Sequence, residues 1–397
     1  MMAVRRRLSV ALVTETYLPE VNGVAMTLGR LVEGLQARNH RIELIRPRQQ
    51  HETIGLQTDG SLLLPGLPIP RYPELRFGLP ATRRLLAHWR KSPPDIVHIA
   101  TEGPLGLSAL FAARRLGLPV VSTFHTNFHR YSAHYGIGWM RRGIERYLRW
   151  FHNHTAATLV PTPALAEELT QQGYRDVSVL SRGVDTELFN PARRSMALRE
   201  AWGAGPDDLV CLVVGRLAPE KNLKLALAAF GAIRAKYPKA RLVCVGDGPL
   251  RAQLERRHPE CLCVGARFGK DLAAHYASAD LFLFPSLTET FGNVVVEALA
   301  SGLPVVAFDL AAASELIHDG ENGRLVPPGD EAAFIAAAQS LATALSERPE
   351  LRLTAAMSVC HLDWERIYDG YIALLSGIID RHAATAFASE NVFLAPD

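Results

Sequence analysis

Residues 280–309 read DLFLFPSLTETFGNVVVEALASGLPVVAFD. Two short apolar runs, Leu281–Pro285 and Val305–Phe308, enclose a stretch of helical periodicity, Val294–Ser301. Strand, loop, helix and strand in that order make a βαβ unit. Both strands are apolar continuously rather than alternately, as strands covered on both faces are. The loop that ends the first strand carries Glu289, and Gly292 and Asn293 open the helix, so that backbone N–H groups face the loop. Glu297 follows about one and a half turns on and is the one charge in an apolar run. Ionised carboxylates accept from hydroxyls and suit a ligand rich in paired hydroxyl groups. A helix cap with a solvated Glu would explain Glu289, but not why Glu297 interrupts VVVxALA.

The same alternation runs along all 397 residues. Strand candidates are Leu8–Val13, Arg41–Ile45, Ile96–Ala100, Val120–Phe124, Thr158–Pro161 and Val177–Leu180. They continue with Leu209–Val214, Leu242–Val245 and Cys261–Val264 before the two already described. Helical patterns lie between them, as at Gly23–Ala37, Leu105–Leu116 and Leu223–Tyr237. The expected fold is therefore α/β, with two doubly wound sheets whose ligands bind at the carboxyl ends of strands. A Gly-, Pro- and charge-rich stretch between 182 and 207 marks the crossover. The expected domains are 1–190, 191–362 and a C-terminal segment 363–397, with the helix Trp364–Ile379 and a frayed tail after Arg381.

A second loop carries chemistry. Strand LVCLVV runs into Gly215-Arg216-Leu217-Ala218-Pro219-Glu220-Lys221-Asn222, and a helix follows. Two cations at a strand-to-helix turn suit a diphosphate: Arg grips oxygens with a planar fork, Lys adds a point charge, and the helix end adds positive field. The Walker order is absent. A surface turn with two solvated cations is the plain alternative.

A net charge of +3 does not by itself suggest nucleic-acid binding. No run approaches the ~18 apolar residues of a membrane span, and MMAVRRR is not the start of a secretory signal. Five cysteines without a second metal-spaced pair read as reduced, buried thiols, hence a cytoplasmic protein with at most peripheral membrane contact. No Asp-x-Asp follows a strand, so no metal site is expected and no cofactor beyond a co-substrate.

These phrases carry a resemblance. Glu289 and Glu297 stand at a Glu-x7-Glu spacing, and GRLAPEKN, VGDGP, NGRLVPPGD, PEVNGVAMTLGRL, PDIVHIATEGPLG, TFHTNF and RGVDTELFNP accompany them. Together the chain resembles glycosyltransferase family four over roughly residues 8–375. The resemblance implies the GT-B architecture, two Rossmann-like domains facing a central cleft, with the C-terminal helix packing back on the first. It implies retention of anomeric configuration. It implies that Arg216 and Lys221 bind the donor diphosphate. Glu289 would contact the sugar, with backbone N–H groups at Phe291, Gly292, Asn293 and Val294, and Glu297 would hold the ribose. Gly23 would let backbone approach phosphate closely, although Asn22 replaces a glycine common there. His125 would touch the sugar near the reacting carbon. Base contacts fall in Gly265–Gly269, including Arg267 and Phe268. Catalytic roles would belong to His125, Arg216, Lys221 and Glu289.

The phrases ETYLPEVNGV and FHTNFHRYSAHYGI resemble members that move mannose from GDP-mannose to lipids and those that glycosylate diacylglycerol. The expected partners are a nucleotide sugar, a lipid acceptor and an anionic membrane surface. UDP-glucose or UDP-glucuronate remain alternative donors. A basic amphipathic helix, Gly138–His152, fits such a surface, with Met140, Ile144, Tyr147, Leu148 and Phe151 on one side and Arg141, Arg142, Arg146 and Arg149 on the other. Trp139 and Trp150 flank it, and Arg71–Lys91 adds Arg83, Arg84, Trp89 and Arg90. An ordinary core-facing helix is the alternative. Among rivals, a nicotinamide oxidoreductase would need Gly-x-Gly-x-x-Gly after the first strand, where ETYLPEVNGV stands. A non-catalytic nucleotide-sugar-binding protein should have lost Glu289 or Lys221. Within enzymes, a GT-B epimerase or phosphorylase is a further alternative.

Overall fold

The computed structural model describes residues 6–392 except 21, 50–51, 58, 70–71, 126–140 and 290, with backbone alone at 69, 72–75, 141 and 386–392. The chain divides into two compact units, residues 1–182 with 365–397, and Gly183–Trp364.

The first unit begins with β1 (Ser9–Val13), β2 (Arg41–Pro47), β3 (Gly55–Leu56), β4 (Leu62–Leu64), β5 (Gly66–Ile69) and β6 (Tyr72–Gly78). It continues with β7 (Ile96–Ile99), β8 (Val120–Thr123), β9 (Ala157–Val160) and β10 (Val177–Val179). The main sheet has the order β10-β9-β8-β7-β1-β2-β4-β3, parallel except for β3, and β5 and β6 form a separate antiparallel ribbon. The sequence reading missed the short strands between residues 55 and 78. Two or three residues carry no usable periodicity, and only pairing with a neighbour makes them strands.

In the second unit β11 (Val210–Val214), β12 (Arg241–Val245), β13 (Cys261–Gly265), β14 (Leu281–Phe284), β15 (Val305–Phe308) and β16 (Gly323–Val326) form one parallel sheet. Its order is β13-β12-β11-β14-β15-β16. The continuous apolar runs now have their cause. Val210, Leu212, Val214, Phe282 and Phe284 enter the core on one face, while Cys211, Val213, Leu281 and Leu283 enter the core on the other. Asp280, just before β14, binds Arg194 at 2.8 Å, Arg199 at 2.9 Å and Arg352 at 3.3 Å. The fully buried Arg199 also donates to the carbonyls of Gly205 and Asp208. A buried cation needs such acceptors, here on both terminal nitrogens of the guanidinium.

The C-terminal helix runs Trp364–Val392, so the tail expected to fray after Arg381 is helical to that point. Its anchors lie in the first unit. Tyr371 Oη is hydrogen-bonded to His98 Nδ1 at 2.7 Å, Tyr368 donates to the Arg30 carbonyl at 2.9 Å, and Arg38 pairs with Glu365. No helix among the described residues is long and apolar enough to cross a membrane.

Candidate active site

Strand order reverses between β11 and β14, which are hydrogen-bonded neighbours in the second unit. Loops leaving adjacent strands in opposite directions open a crevice at their carboxyl ends. The loop after β11 carries Arg216 and Lys221, and that after β14 carries Glu289. The structure joins them: Lys221 forms an ion pair with Glu289, Ser286 donates to the same carboxylate oxygen at 2.8 Å, and the ammonium lies 5.9 Å from the Phe284 ring centroid. Their side chains are only 25% and 17% exposed, so this pair is screened less than a surface pair. Arg216 is more open, 3.9 Å from Glu220.

Three loops are stitched beneath this pair by backbone. Gly215 N donates to Val245 O at 3.0 Å, Leu217 N to Asp247 O at 2.8 Å, and Gly246 N to Gly265 O at 2.9 Å. Gly246 has φ +140°, and a Cβ there would stand 1.9 Å from the Gly215 carbonyl oxygen. Only glycine permits that approach. In the adjoining segment Arg267 donates to Val264 O at 2.7 Å and lies 3.4 Å from Asp271, so its side chain is engaged locally. Phe268 caps the helix Gly269–Ser278 and is 55% exposed, a flat apolar surface beside the platform.

The helix Asn293–Ala300 starts at Gly292, which has φ +91°. A Cβ on Gly292 would lie 3.8 Å from Cγ of Glu289, so the helix's amino end adjoins that carboxylate. The Phe291 carbonyl accepts from Ala312 N at 2.9 Å and holds the turn in place. Asn293 and Val294 follow in the first turn, half-buried. Further along, Tyr276 donates to Glu297 at 2.9 Å. Loss of water raises the Glu297 carboxyl to about 7, against the pull of that hydrogen bond. Neither Ser286 nor Tyr276 was marked by sequence reading, since their importance lies in contacts 3 and 21 residues away.

In the first unit the strand order reverses between β7 and β1. Gly23 is the first residue of the helix Gly23–Ala37, and Asn22 caps it, accepting from Val24 N at 3.1 Å and Ala25 N at 2.9 Å. The Asn22 side chain thus takes up the amides of Val24 and Ala25, in the helix turn next to Gly23. His125 follows β8 and is buried, with Arg182 Nη2 3.4 Å from its Nδ1. Burial and then the guanidinium hold the ring well below its ordinary value. A guanidinium only donates, so Nδ1 accepts and the neutral ring carries its proton on Nε2. The rest of the His-bearing loop lies outside the described residues.

Two acids missed in the sequence flank this turn. Glu15 accepts from Leu105 N at 2.9 Å, and its own N–H donates to Thr101 at 2.9 Å. Burial raises its carboxyl to about 7. Glu102 lies 3.1 Å from His152. A glutamate in a loop has no local signature; strand order brings both acids to the switch point.

The basic helix is described from Arg141 to His152, so Gly138, Trp139 and Met140 lie outside the described residues. Its apolar side faces the protein: Leu148 and Phe151 are buried, and Tyr147 donates to the Glu102 carbonyl. Trp89 is also core, donating to Glu43 at 3.3 Å. This is the core-facing alternative: Trp89 and Phe151 join the cluster of Val97, Ile99 and Val120, and Leu148 that of Phe124 and Val160. Outward remain Arg142, Arg146 and Arg149, together with Trp150 and Phe111, which meet at 6.1 Å between centroids. Among the described residues no group of three or more His, Cys, Asp or Glu side chains is placed to share a metal ion.

Two doubly wound sheets, the first parallel except for β3, have the architecture of the GT-B glycosyltransferases. Residues 208–344 match the family model described as glycosyl transferases group 1, and residues 21–188 match that of glycosyltransferase family 4. A GDP-mannose-dependent alpha-mannosyltransferase of Mycobacterium tuberculosis is 36% identical over 388 residues, 95% of this chain and 98% of that one. The chain belongs to glycosyltransferase family 4 and transfers a sugar from a nucleotide sugar. An alpha-monoglucosyldiacylglycerol synthase of Acholeplasma laidlawii is 28% identical, over 79% of this chain and 83% of its own. Among solved structures, Anabaena HepE in complex with UDP-glucose superposes with a TM-score of 0.73 at 20% identity, covering 94% of this chain and all of its own, which establishes the shared fold.

Proposed function

We propose that the chain is a retaining mannosyltransferase that moves mannose from GDP-mannose to a lipid acceptor at an anionic membrane surface. The observation that carries the donor is the 36% identity, over nearly both whole lengths, to a GDP-mannose-dependent enzyme. The lipid acceptor is supported by the alpha-monoglucosyldiacylglycerol synthase relative and by the outward Arg142, Arg146, Arg149 and Trp150. Aromatic side chains among cations suit a headgroup layer.

In this reading the diphosphate takes the Lys221 ammonium from Glu289, and the freed carboxylate accepts from sugar hydroxyls. Arg216 grips the outer phosphate oxygens. Tyr276 holds Glu297 towards the ribose, and Phe268 lies against the base. The neutral His125 donates through Nε2 to the sugar near the reacting carbon. The acceptor oxygen bonds to the anomeric carbon on the face from which the diphosphate departs, and the leaving phosphate oxygen takes the acceptor's proton. Fixed cations and the amides of Gly292, Asn293 and Val294 stabilise the charge developing on the leaving group.

The test is product formation from GDP-mannose, UDP-glucose and UDP-glucuronate with diacylglycerol vesicles, with and without phosphatidylglycerol, at low and high salt. Mannolipid from GDP-mannose, favoured by the anionic lipid and suppressed by salt, is the expected result. Glucolipid from UDP-glucose would replace this donor assignment.

Glu297 offers a separate check. Its carboxyl titrates near 7 in the protein alone. Ribose hydroxyls donate to the ionised form, so donor binding lowers that value and releases the proton. Calorimetry of GDP-mannose binding at pH 7, in buffers of different ionisation enthalpy, should report release of about half a proton. The release should vanish in Glu297→Gln. Equal proton release by both proteins would remove Glu297 from the ribose.

A further inference from the structure

Three cysteines occupy one face of the second sheet, directly beneath the loops after β12 and β13. Cys244 and Cys263 are partners across these parallel strands, and Cys261 lies two residues before Cys263 on the same face. The sulfurs of Cys244 and Cys261 are 2.9 Å apart. Adjacent strands stand ~4.8 Å apart, inside the Cα window of roughly 4.4–6.8 Å that a disulfide needs. Cys244 and Cys261 are buried, while Cys263 is half-exposed. Neighbouring thiols donate to the Cys263 sulfur and hold it down to about 7. Burial pushes Cys211, one strand further in, far up instead. The expectation of reduced, buried thiols thus holds at Cys211, Cys244 and Cys261, whereas Cys263 is half-exposed and Cys360 exposed.

We infer that Cys244, Cys261 and Cys263 form an oxidisable thiol centre, in which hydrogen peroxide oxidises Cys263 and Cys244 then closes a disulfide between β12 and β13. The Cys263 thiolate attacks a peroxide oxygen. The O–O bond breaks, and the hydroxide takes a proton and leaves as water. The resulting sulfenic acid is attacked by the Cys244 sulfur, the S–O bond breaks, and a second water leaves with the Cys244 proton. Two thiols thus supply the two electrons that reduce one peroxide. Cys360, exposed and remote in the fold, is the built-in reference.

Both strands end at the backbone platform, where Gly246 N donates to Gly265 O at 2.9 Å. Drawing the strands together alters that spacing, so oxidation should weaken nucleotide binding. This coupling rests on the donor-site reading; the disulfide itself does not.

The reduced full-length protein is treated with hydrogen peroxide, alkylated and digested with trypsin. The fragments 242–251 and 258–267 should appear joined, separating on dithiothreitol, and two of the five thiols should disappear from titration under denaturing conditions. Cys263→Ser should abolish the link, and Cys360→Ser should leave it. Unlinked fragments alongside oxidised Cys360, or Cys263 sulfinic acid with Cys244 still alkylated by the reagent, would overturn the centre. A bridge confined within 258–267 would overturn the role of Cys244. The thermal shift produced by GDP should fall on oxidation; an unchanged shift in bridged protein would overturn the coupling alone.

Discussion

Lys221→Ala is expected to lower kcat by roughly 10²–10³-fold, about 2.7–4 kcal/mol of barrier, the range seen when a preorganised charge-stabilising group is removed. Donor affinity should fall much less. The ammonium is held at the switch point by Glu289, which is itself held by Ser286 at 2.8 Å. In the proposed reading the bound diphosphate has already drawn the ammonium from Glu289, so the cation costs little reorganisation when negative charge grows on the departing phosphate. The donor's ground-state charge is, in that reading, shared with Arg216 and the helix amino end, so binding should keep most of its partners. Steady-state kinetics with varied donor, paired with a direct binding isotherm, separates the two quantities. A variant that binds donor 10²-fold more weakly yet turns over normally at saturation would assign Lys221 to uniform binding instead.

Gly246→Ala should be the most damaging single methyl in the second unit, lowering its melting temperature by ~6–20 °C. A Cβ at 1.9 Å from the Gly215 carbonyl oxygen overlaps backbone, and φ is +140°. The carbonyl cannot retreat easily, because Gly215 N is bonded to Val245 O at 3.0 Å in the same ladder. Strain and overlap together should cost ~3–5 kcal/mol, and each kcal/mol moves the midpoint of a unit this size by about 2–4 °C. Gly231→Ala is the matched control. Gly231 lies in the helix Leu223–Lys236, where an added Cβ meets nothing, so alanine should be neutral or stabilising by up to ~1 kcal/mol. Calorimetric melting of both variants decides; equal midpoints would mean the platform tolerates relaxation that its bonds argue against.

The helix that should carry Glu297 was legible because one charge in VVVEALA breaks a 3.6-residue pattern. Glu15 and Glu102 were not, because loop acids look alike until strand order says which of them meet. The basic helix was open to two readings, core-facing or membrane-facing. Its amphipathicity was read correctly, but periodicity marks an apolar face without saying what covers it, and here the protein does. Asn22 was flagged as a departure from glycine, and only the backbone reveals that its side chain occupies two amides of the following helix.

Continuous apolar strands, βαβ alternation and the placement of Arg216, Lys221, Glu289 and Glu297 at strand ends and helix starts are properties of neighbouring residues, and the chain alone determined them. Tertiary structure decided what those residues touch. The Lys221–Glu289 pair spans 68 residues, the Asp280–Arg352 contact 72, and Tyr371–His98 spans 273. Such contacts depend on which strands lie side by side, and side-by-side placement is set by burying both faces of a sheet at once, a constraint that no local window of sequence contains.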